Sequence, residues 1–434
     1  MIIPTLISDM RFDPWWWEDA PPAEGLPTAL PQTVDVAIVG AGYTGTTAAL
    51  TCARAGRSVV LIETENPGYG ASTRNGGMIG SGHRVGYGEL SQQYGEVAAE
   101  EVLREGVRAL DYTTGLIEDE GIACDFLRCG RFRGAWRQSD YEEIGREVDF
   151  LRKKIGIEAH MVPRTEQHRE VAVEAYKGGC VYDSHGGLHP AKFYRGLLEK
   201  ALAAGVQVAA RTSVTAIKRF DNAFVVQTTR GTFRARDVII ASNGYTTRAA
   251  PSLRRKIIPL ASYMVATEPL GASRVKAMIP SARMIVETRP QHCYYRPSPD
   301  GERILLGGRA ALGHIDPARS AVTLRRLLVG LFPDLKDVRI SHSWLGTLGF
   351  SKDHLPHIGT TPGGVHYALG YSGSGVAMAP YLGWRVANKV LGNADGMTGL
   401  DRINHPIVLL RDVVPMGLPV VNVWYRIKDV MEGS

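Results

Sequence analysis

The chain has 434 residues, 44% hydrophobic and 22% charged, an ordinary globular composition with room for two or three domains and a sizeable core. Basic residues exceed acidic ones by six (50 against 44), but they are scattered and the densest run is only Arg254-Arg255-Lys256, so no nucleic-acid-binding stripe is read. No leader segment is recognisable and no apolar run approaches the ~18 residues of a membrane span, and the five cysteines form no C-x-x-C pair, which together point to the cytoplasm and to neither a disulfide scaffold nor a metal site.

Residues 1–32, with Trp15-Trp16-Trp17 and several prolines, read as an extended arm packed on the body. Residues 34–39 are a buried strand closed by Gly40, residues 44–55 a helix of small residues stopped by Gly56, and residues 58–62 a second apolar strand ending at Glu63. That is one βαβ unit. Residues 96–120 carry the apolar period of an amphipathic helix (Val97, Val102, Val107, Leu110, Ile117), and 138–155 another. A strand is expected from Cys180 to Asp183, and a helix from Pro190 to Ala204 closed by Gly205. Residues 206–240 alternate strand and turn, in four runs beginning at Val206, Phe224, Thr232 and Val238. Short strands follow over 263–310, with turns at Pro297 to Gly301. A helix is expected at 322–331, ended by Pro333, and a last one from Gly383 to about Leu391. The tail from His405 is apolar and interrupted by proline.

Gly40-Ala41-Gly42-Tyr43-Thr44-Gly45 follows the first strand and opens the first helix. Three glycines at that spacing are weak evidence alone, but the βαβ context and Glu63 at the end of the next strand make a dinucleotide site. Gly40 permits the turn, Gly42 the approach of a pyrophosphate, and Gly45 the close packing of helix on strand. The helix N-terminus attracts the phosphates, and Glu63 accepts from a ribose while repelling a 2′-phosphate. A second glycine-rich run, Gly68 to Gly77, lies just beyond and can follow the diphosphate toward a ring.

These two motifs, with Gly70-Ala71-Ser72-x-Arg74-Asn75-Gly76-Gly77 in the second, resemble the D-amino-acid-oxidase-type FAD-dependent oxidoreductases, and within them the gamma-glutamylputrescine oxidoreductase group. The resemblance runs over about residues 33–390. It continues through Asp183-x-x-Gly186-Gly187-x-His189-Pro190, Ala241-Ser242-Asn243-Gly244-Tyr245, Tyr295-Arg296, Trp344-x-Gly346, Pro356-x-Ile358-Gly359 and Gly370-Tyr371-Ser372-Gly373-Ser374-Gly375-Val376. It implies FAD as cofactor and an α/β fold. A discontinuous Rossmann-like FAD-binding domain (33–90, 176–250 and 341–400) would be covered by an antiparallel-sheet substrate domain (91–175 and 251–340), with an arm at 1–32 and a tail at 401–434. It further implies FAD contacts from Gly40, Gly42, Tyr43, Thr44, Gly45, Glu63, Ala71, Ser72, Thr73, Asn75, Gly76, Gly77 and Met78, and later from Val214, Ser242, Asn243, Gly244, Gly346, Gly373, Ser374, Gly375 and Val376. Ser374 departs from the group, which usually has His there, and puts the group's substrate in question more than the cofactor. Cys293 and His83 are the nearest candidates for covalent attachment of FAD, though neither clearly matches such a position.

The expected reaction is oxidation of a C–N bond in a primary or secondary amine, gamma-glutamylputrescine being the example, by hydride transfer to flavin N5 and hydrolysis of the imine. Tyr263, Tyr294, Tyr295, Arg296 and Trp344 are the candidates for the substrate pocket, with Arg296 able to hold a carboxylate. An N-methyl or D-amino acid oxidase or dehydrogenase is a rival on the same fold, and a flavin-binding subunit without turnover is a rival of another class. Oxygen and another electron acceptor remain equally open, as does the oligomeric state. His354 and His357 have metal-like spacing, but Pro356 breaks the helix that would present them. His189 is expected to cap the helix that follows it.

Overall fold

The run at residues 34–39 is apolar on both faces, as a strand inside a parallel sheet must be. The computed structural model describes residues 9–27, 29–289, 293–308 and 315–408. In chain order its strands are β1 (Thr33–Val39), β2 (Val59–Ile62), β3 (Met78–Ile79), β4 (Arg131–Gly134), β5 (Ala159–Val162), β6 (Gly179–Tyr182), β7 (Gly186–Gly187), β8 (Gln207–Ala209) and β9 (Val214–Phe220). There follow β10 (Ala223–Thr228), β11 (Gly231–Ile240), β12 (Ile258–Thr267), β13 (Met284–Glu287), β14 (Cys293–Pro297), β15 (Ile304–Gly308), β16 (Ile340–Phe350), β17 (His357–Thr360) and β18 (His366–Leu369). The helices are α1 (Tyr43–Arg54), α2 (Tyr87–Tyr94), α3 (Glu96–Asp119), α4 (Gln138–Phe150), α5 (Pro190–Ala203), α6 (Pro251–Arg254), α7 (Ala272–Met278), α8 (Pro317–Leu331) and α9 (Gly375–Leu391).

The first sheet has the order β17-β18-β11-β1-β2-β8, with the β9–β10 hairpin added through β11. β18, β11, β1, β2 and β8 run parallel. Ile38 and Leu61 are fully buried at its centre, and burying a side chain of that size contributes about 1.5–3 kcal/mol. Helix α1 packs on α9, where Gly383 lets the Thr44 backbone approach, and α3 joins them through Thr113 Oγ1, which donates to Ala377 O at 2.8 Å. The second sheet has the order β16-β12-β15-β14-β13-β4-β6-β5, antiparallel except where β13 runs parallel to β4. Its far face is closed by α8, whose Leu324 and Leu328 pack in one core with Ile285, Tyr295 and Leu306 of the sheet.

Several expectations need correction. β6 and β16 belong to the second sheet, although 176–250 and 341–400 were expected in the cofactor domain. Helix α3, expected with the substrate domain, packs on α9 beside the first sheet. The two runs at Thr232 and Val238 are one continuous strand, β11, and β9 and α7 were not foreseen. Helix α8 begins at Pro317 because Asp316 caps it, its side chain accepting from Ala318 N at 2.9 Å. Helix α9 begins at Gly375, eight residues before the expected start. Val97, counted as apolar period, is 75% exposed. The tryptophans form a short 3-10 turn rather than an extended run. His189 does cap α5, its Nδ1 accepting from Lys192 N at 3.1 Å. Most of the tail lies outside the described residues. Among those described, no helix is long and apolar enough to cross a membrane.

Candidate active site

Helix α1 starts where β1 ends, so its first-turn N–H groups open onto the C-terminal edge of the parallel sheet. Gly40 holds φ +103° there, and a Cβ on Gly45 would lie 1.9 Å from Gly40 O, so helix and strand meet backbone to backbone. Glu63 Oε2 accepts from Ala41 N at 2.9 Å and Oε1 from Glu65 N at 3.1 Å. Burial pushes the Glu63 carboxyl up against these backbone donors. Ser72 Oγ accepts from Tyr43 N at 3.0 Å, joining the two glycine-rich runs. Asn243, at φ +42°, accepts at Oδ1 from Gly370 N at 2.9 Å and so ties the end of β11 to the last glycine motif.

A cavity of ≈ 420 Å³ follows this edge. It runs from Glu63 and Val214, past Gly40, Gly42, Tyr43 and Thr44, to Ala71, Ser72 and Asn75. Ser242, Asn243, Gly373, Gly375 and Val376 line its other side. A second cavity of ≈ 310 Å³ lies under the second sheet and shares the walls Ala71, Asn75, Leu348, Ser372, Gly373 and Val376 with the first. Gly76, Met78, Gly346 and Ser374 line only the second. Ser374 Oγ is taken up by Tyr371 O at 2.8 Å. Gly45, Thr73, Gly77 and Gly244 line neither. Gly45 and Gly244 serve close backbone packing, Gly77 approaches Leu188 O, and Thr73 is buried.

The loop between the cavities is pinned by indoles. Trp17 Nε1 donates to Thr73 Oγ1 at 3.0 Å, Trp344 Nε1 to Arg74 O at 2.9 Å and Trp16 Nε1 to Asn75 O at 2.9 Å. The Arg74 guanidinium sits between the Trp17 and Tyr69 rings, 4.4 and 4.5 Å from their centroids. The arm is thus part of the site's frame. W16F, which deletes the donor and leaves a smaller ring in a fully buried site, is expected to cost about 2–3 kcal/mol of stability and to weaken cofactor retention several-fold. Fluorescence titration of apoprotein with FAD measures this, and an unchanged dissociation constant would contradict it.

Of the five expected pocket residues, only Tyr294 lines the second cavity. Alternation along β14 sends Tyr295 to the opposite face, where its hydroxyl meets Tyr176 OH at 3.1 Å. Tyr263 also faces the far side, its hydroxyl accepting from Ile315 N at 2.6 Å. Trp344 is buried against Trp15, Trp16 and Met264. Arg296 is on the right face but beyond the cavity, its Nη1 donating to Gly77 O and Leu188 O at 2.9 Å each. It holds backbone carbonyls rather than a substrate carboxylate. Cys293 is in the far core against Glu287. His83 lines the second cavity with Nε2 bonded to Val102 O at 2.8 Å, and burial lowers its basicity.

The second cavity has apolar walls from Leu260, Val286, Tyr294, Leu348 and Phe350. Its charged and titratable members are Arg74, Arg84, Arg131 and His83, and among the described residues no carboxylate lines it. Arg84 and Arg131 were not singled out from sequence. The stretch Arg131-Phe-Arg-Gly134 has no motif, and only the pairing of β4 with β13 brings it here.

A nucleotide groove on a parallel sheet, opening into a cavity roofed by a second sheet, defines a two-domain dinucleotide-dependent oxidoreductase. The family profile described as DAO, FAD dependent oxidoreductase, matches residues 35–389. The probable oxidoreductase OrdL of Rhizobium meliloti (strain 1021) is 31% identical over 394 residues, 90% of this chain and 91% of that one. The gamma-glutamylputrescine oxidoreductase of Escherichia coli (strain K12) is 28% identical over 384 residues, 86% and 87% of the two chains. Among solved structures, glycine oxidase from Geobacillus kaustophilus superposes with a TM-score of 0.71 at 23% identity, covering 84% of this chain and 96% of that one. The chain belongs to the DAO family of FAD-dependent oxidoreductases. It is an enzyme that uses FAD and acts on amine or amino-acid substrates.

Proposed function

We propose that this enzyme oxidises the C–N bond of a primary or secondary amine, with FAD in the first cavity and the amine in the second. The observation that carries this is the wall the cavities share, Ala71, Asn75, Leu348 and Gly373, which gives a ring at the end of the first cavity direct access to the second. The residues fit the cofactor. The first turn of α1 at Gly42 to Thr44 would hold the diphosphate, Glu63 a ribose, and the loop Ala71–Asn75 with Gly373 the ring. Bound FAD supplies the two-electron, hydride-accepting chemistry.

The protein's own part is to orient the substrate and strip it of water. An amine gives up hydride from the adjacent carbon only when its nitrogen is neutral. The apolar walls Leu260, Val286 and Phe350 favour the neutral form by desolvation, and the nearby Arg74 favours it by repelling a second cation. Tyr294, half-buried with its hydroxyl 3.4 Å from Ser262 Oγ, offers a ring against which the substrate can lie. The imine product hydrolyses on reaching water. An amine of the gamma-glutamylputrescine kind is the favoured substrate class, supported by the relative of that name. The five cysteines, all unpaired, support a reducing cytoplasmic setting.

The test is turnover of the FAD-loaded enzyme with a dye acceptor and a panel of ω-amines, secondary amines, N-methyl amino acids and D-amino acids, with products identified. Aldehyde from a terminal amine is expected. Turnover confined to N-methyl or D-amino acids would replace this function with the rival one.

A further inference from the structure

Arg131 stands on β4 with its neighbour Phe132 turned into the far-face core, so alternation aims Arg131 at the second cavity. Its Nε is buried and has no hydrogen-bond partner, and no carboxylate pairs with the guanidinium among the described residues. The groups around it are His185, Tyr182 and Cys129. None carries a counter-charge: burial, then the charge of Arg131, pushes His185 far down, and burial pushes the Tyr182 hydroxyl and the Cys129 thiol up. A half-buried cation whose Nε is sealed from water and which has no anion beside it is costly, and such a group in a cavity marks a candidate ligand site.

Its position is informative. The walls shared with the cofactor cavity include Leu348 on β16, and β4 is five strands further along the same sheet. At about 4.8 Å per strand, reduced by sheet curvature and by the reach of the side chain, the guanidinium lies on the order of 10–20 Å from that wall. An α-amino acid carries its carboxylate on the carbon that loses hydride, so it cannot touch both places. A chain with an amine at one end and an anion at the other can.

We propose that Arg131 is the specificity-determining anchor for a carboxylate at the far end of an elongated amine substrate. This rests on the amine-oxidising function proposed above. The carboxylate completes the hydrogen bonds of the guanidinium and neutralises it, which fixes the depth at which the amine end sits beneath the shared wall.

The holoenzyme, R131Q and R131K are compared by anaerobic flavin reduction with 6-aminohexanoate and with hexylamine, and by spectral titration with hexanoate, an unreactive anion. In the wild type 6-aminohexanoate should bind about ten- to a hundredfold more tightly than hexylamine, the range of a charge-assisted hydrogen bond. R131Q should erase that ratio while leaving hexylamine affinity and the limiting reduction rate within about threefold. R131K should recover part of the ratio. An R131Q ratio equal to the wild type's, or equal weakening of both amines, overturns the assignment. Should neither amine reduce the flavin, hexanoate decides: binding that weakens in R131Q upholds the anchor while the amine function falls, and binding that is absent or insensitive to R131Q overturns the anchor. R131M, which keeps the apolar stem, replaces R131Q if that variant fails to retain flavin.

Discussion

G45A is expected to yield protein that no longer retains FAD. The added Cβ would meet the Gly40 carbonyl oxygen at 1.9 Å, and both partners are backbone. No side chain can swing aside, so α1 must lift from β1, moving the first-turn N–H groups away from the diphosphate. Overpacking of this kind costs about 3 kcal/mol, and the displaced helix is the one that packs on α9 through Gly383. G42A separates the two effects: its Cβ would meet only Ser72 Oγ within the protein, at 2.9 Å, so the fold should suffer far less than in G45A, while the same Cβ enters the diphosphate cavity and should lower flavin content. The flavin content and melting temperature of the purified variants check this. G45A with full flavin and the wild-type melting temperature would show that the close approach of helix and strand does not shape the site.

R296L is expected to damage the enzyme toward every substrate alike. From sequence, Arg296 is a carboxylate clamp, and its loss should spare amines without a carboxylate. In the folded chain its guanidinium joins the flavin-side loop to the segment before α5, through Gly77 O and Leu188 O, and its Nε donates to Pro297 O at 3.0 Å. Burial holds its pKa down at about 10, still well above neutrality, so it remains a cation. Leucine takes the Arg296 donor from Leu188 O, at about 1–3 kcal/mol, and one of two donors from Gly77 O, which keeps Leu188 N at 2.8 Å. The expected result is a loss of about 2–3 kcal/mol in denaturant unfolding, with faster FAD release. A variant that keeps its stability and flavin but loses only carboxylate-bearing substrates would restore the clamp.

The contrast between these two residues explains what the sequence could convey. The cofactor cradle was legible because it is local. Gly40 to Glu63 is one βαβ unit, and each glycine has a reason that depends on near neighbours. The substrate cavity is built from strands distant in sequence. Tyr294 and Tyr295 are adjacent and of identical hydrophobicity, so composition cannot say which faces the cavity; the pairing of β14 between β13 and β15 decides it, leaving Tyr294 half-buried and Tyr295 in the core. Arg131 gives no local signal, because its surroundings come from β3, β6 and the turn at His185. Helix α9 extends eight residues before the start expected at Gly383, across Pro380, a residue that disfavours a helix interior. In the fold Pro380 is accommodated early in the helix and Gly383 is the contact with α1. The tryptophan arm was legible as packing, but the arm's two indole donors, Trp16 to Asn75 and Trp17 to Thr73, were not, nor was that of Trp344 to Arg74, since those partners lie more than fifty residues away.

The most direct test of the account is the visible spectrum of the purified enzyme without oxygen, before and after a terminal amine that bears a distant carboxylate is added. A bound-flavin band that bleaches on addition is the predicted result. A band that persists with every amine tested would contradict the assignment of the second cavity to amine oxidation.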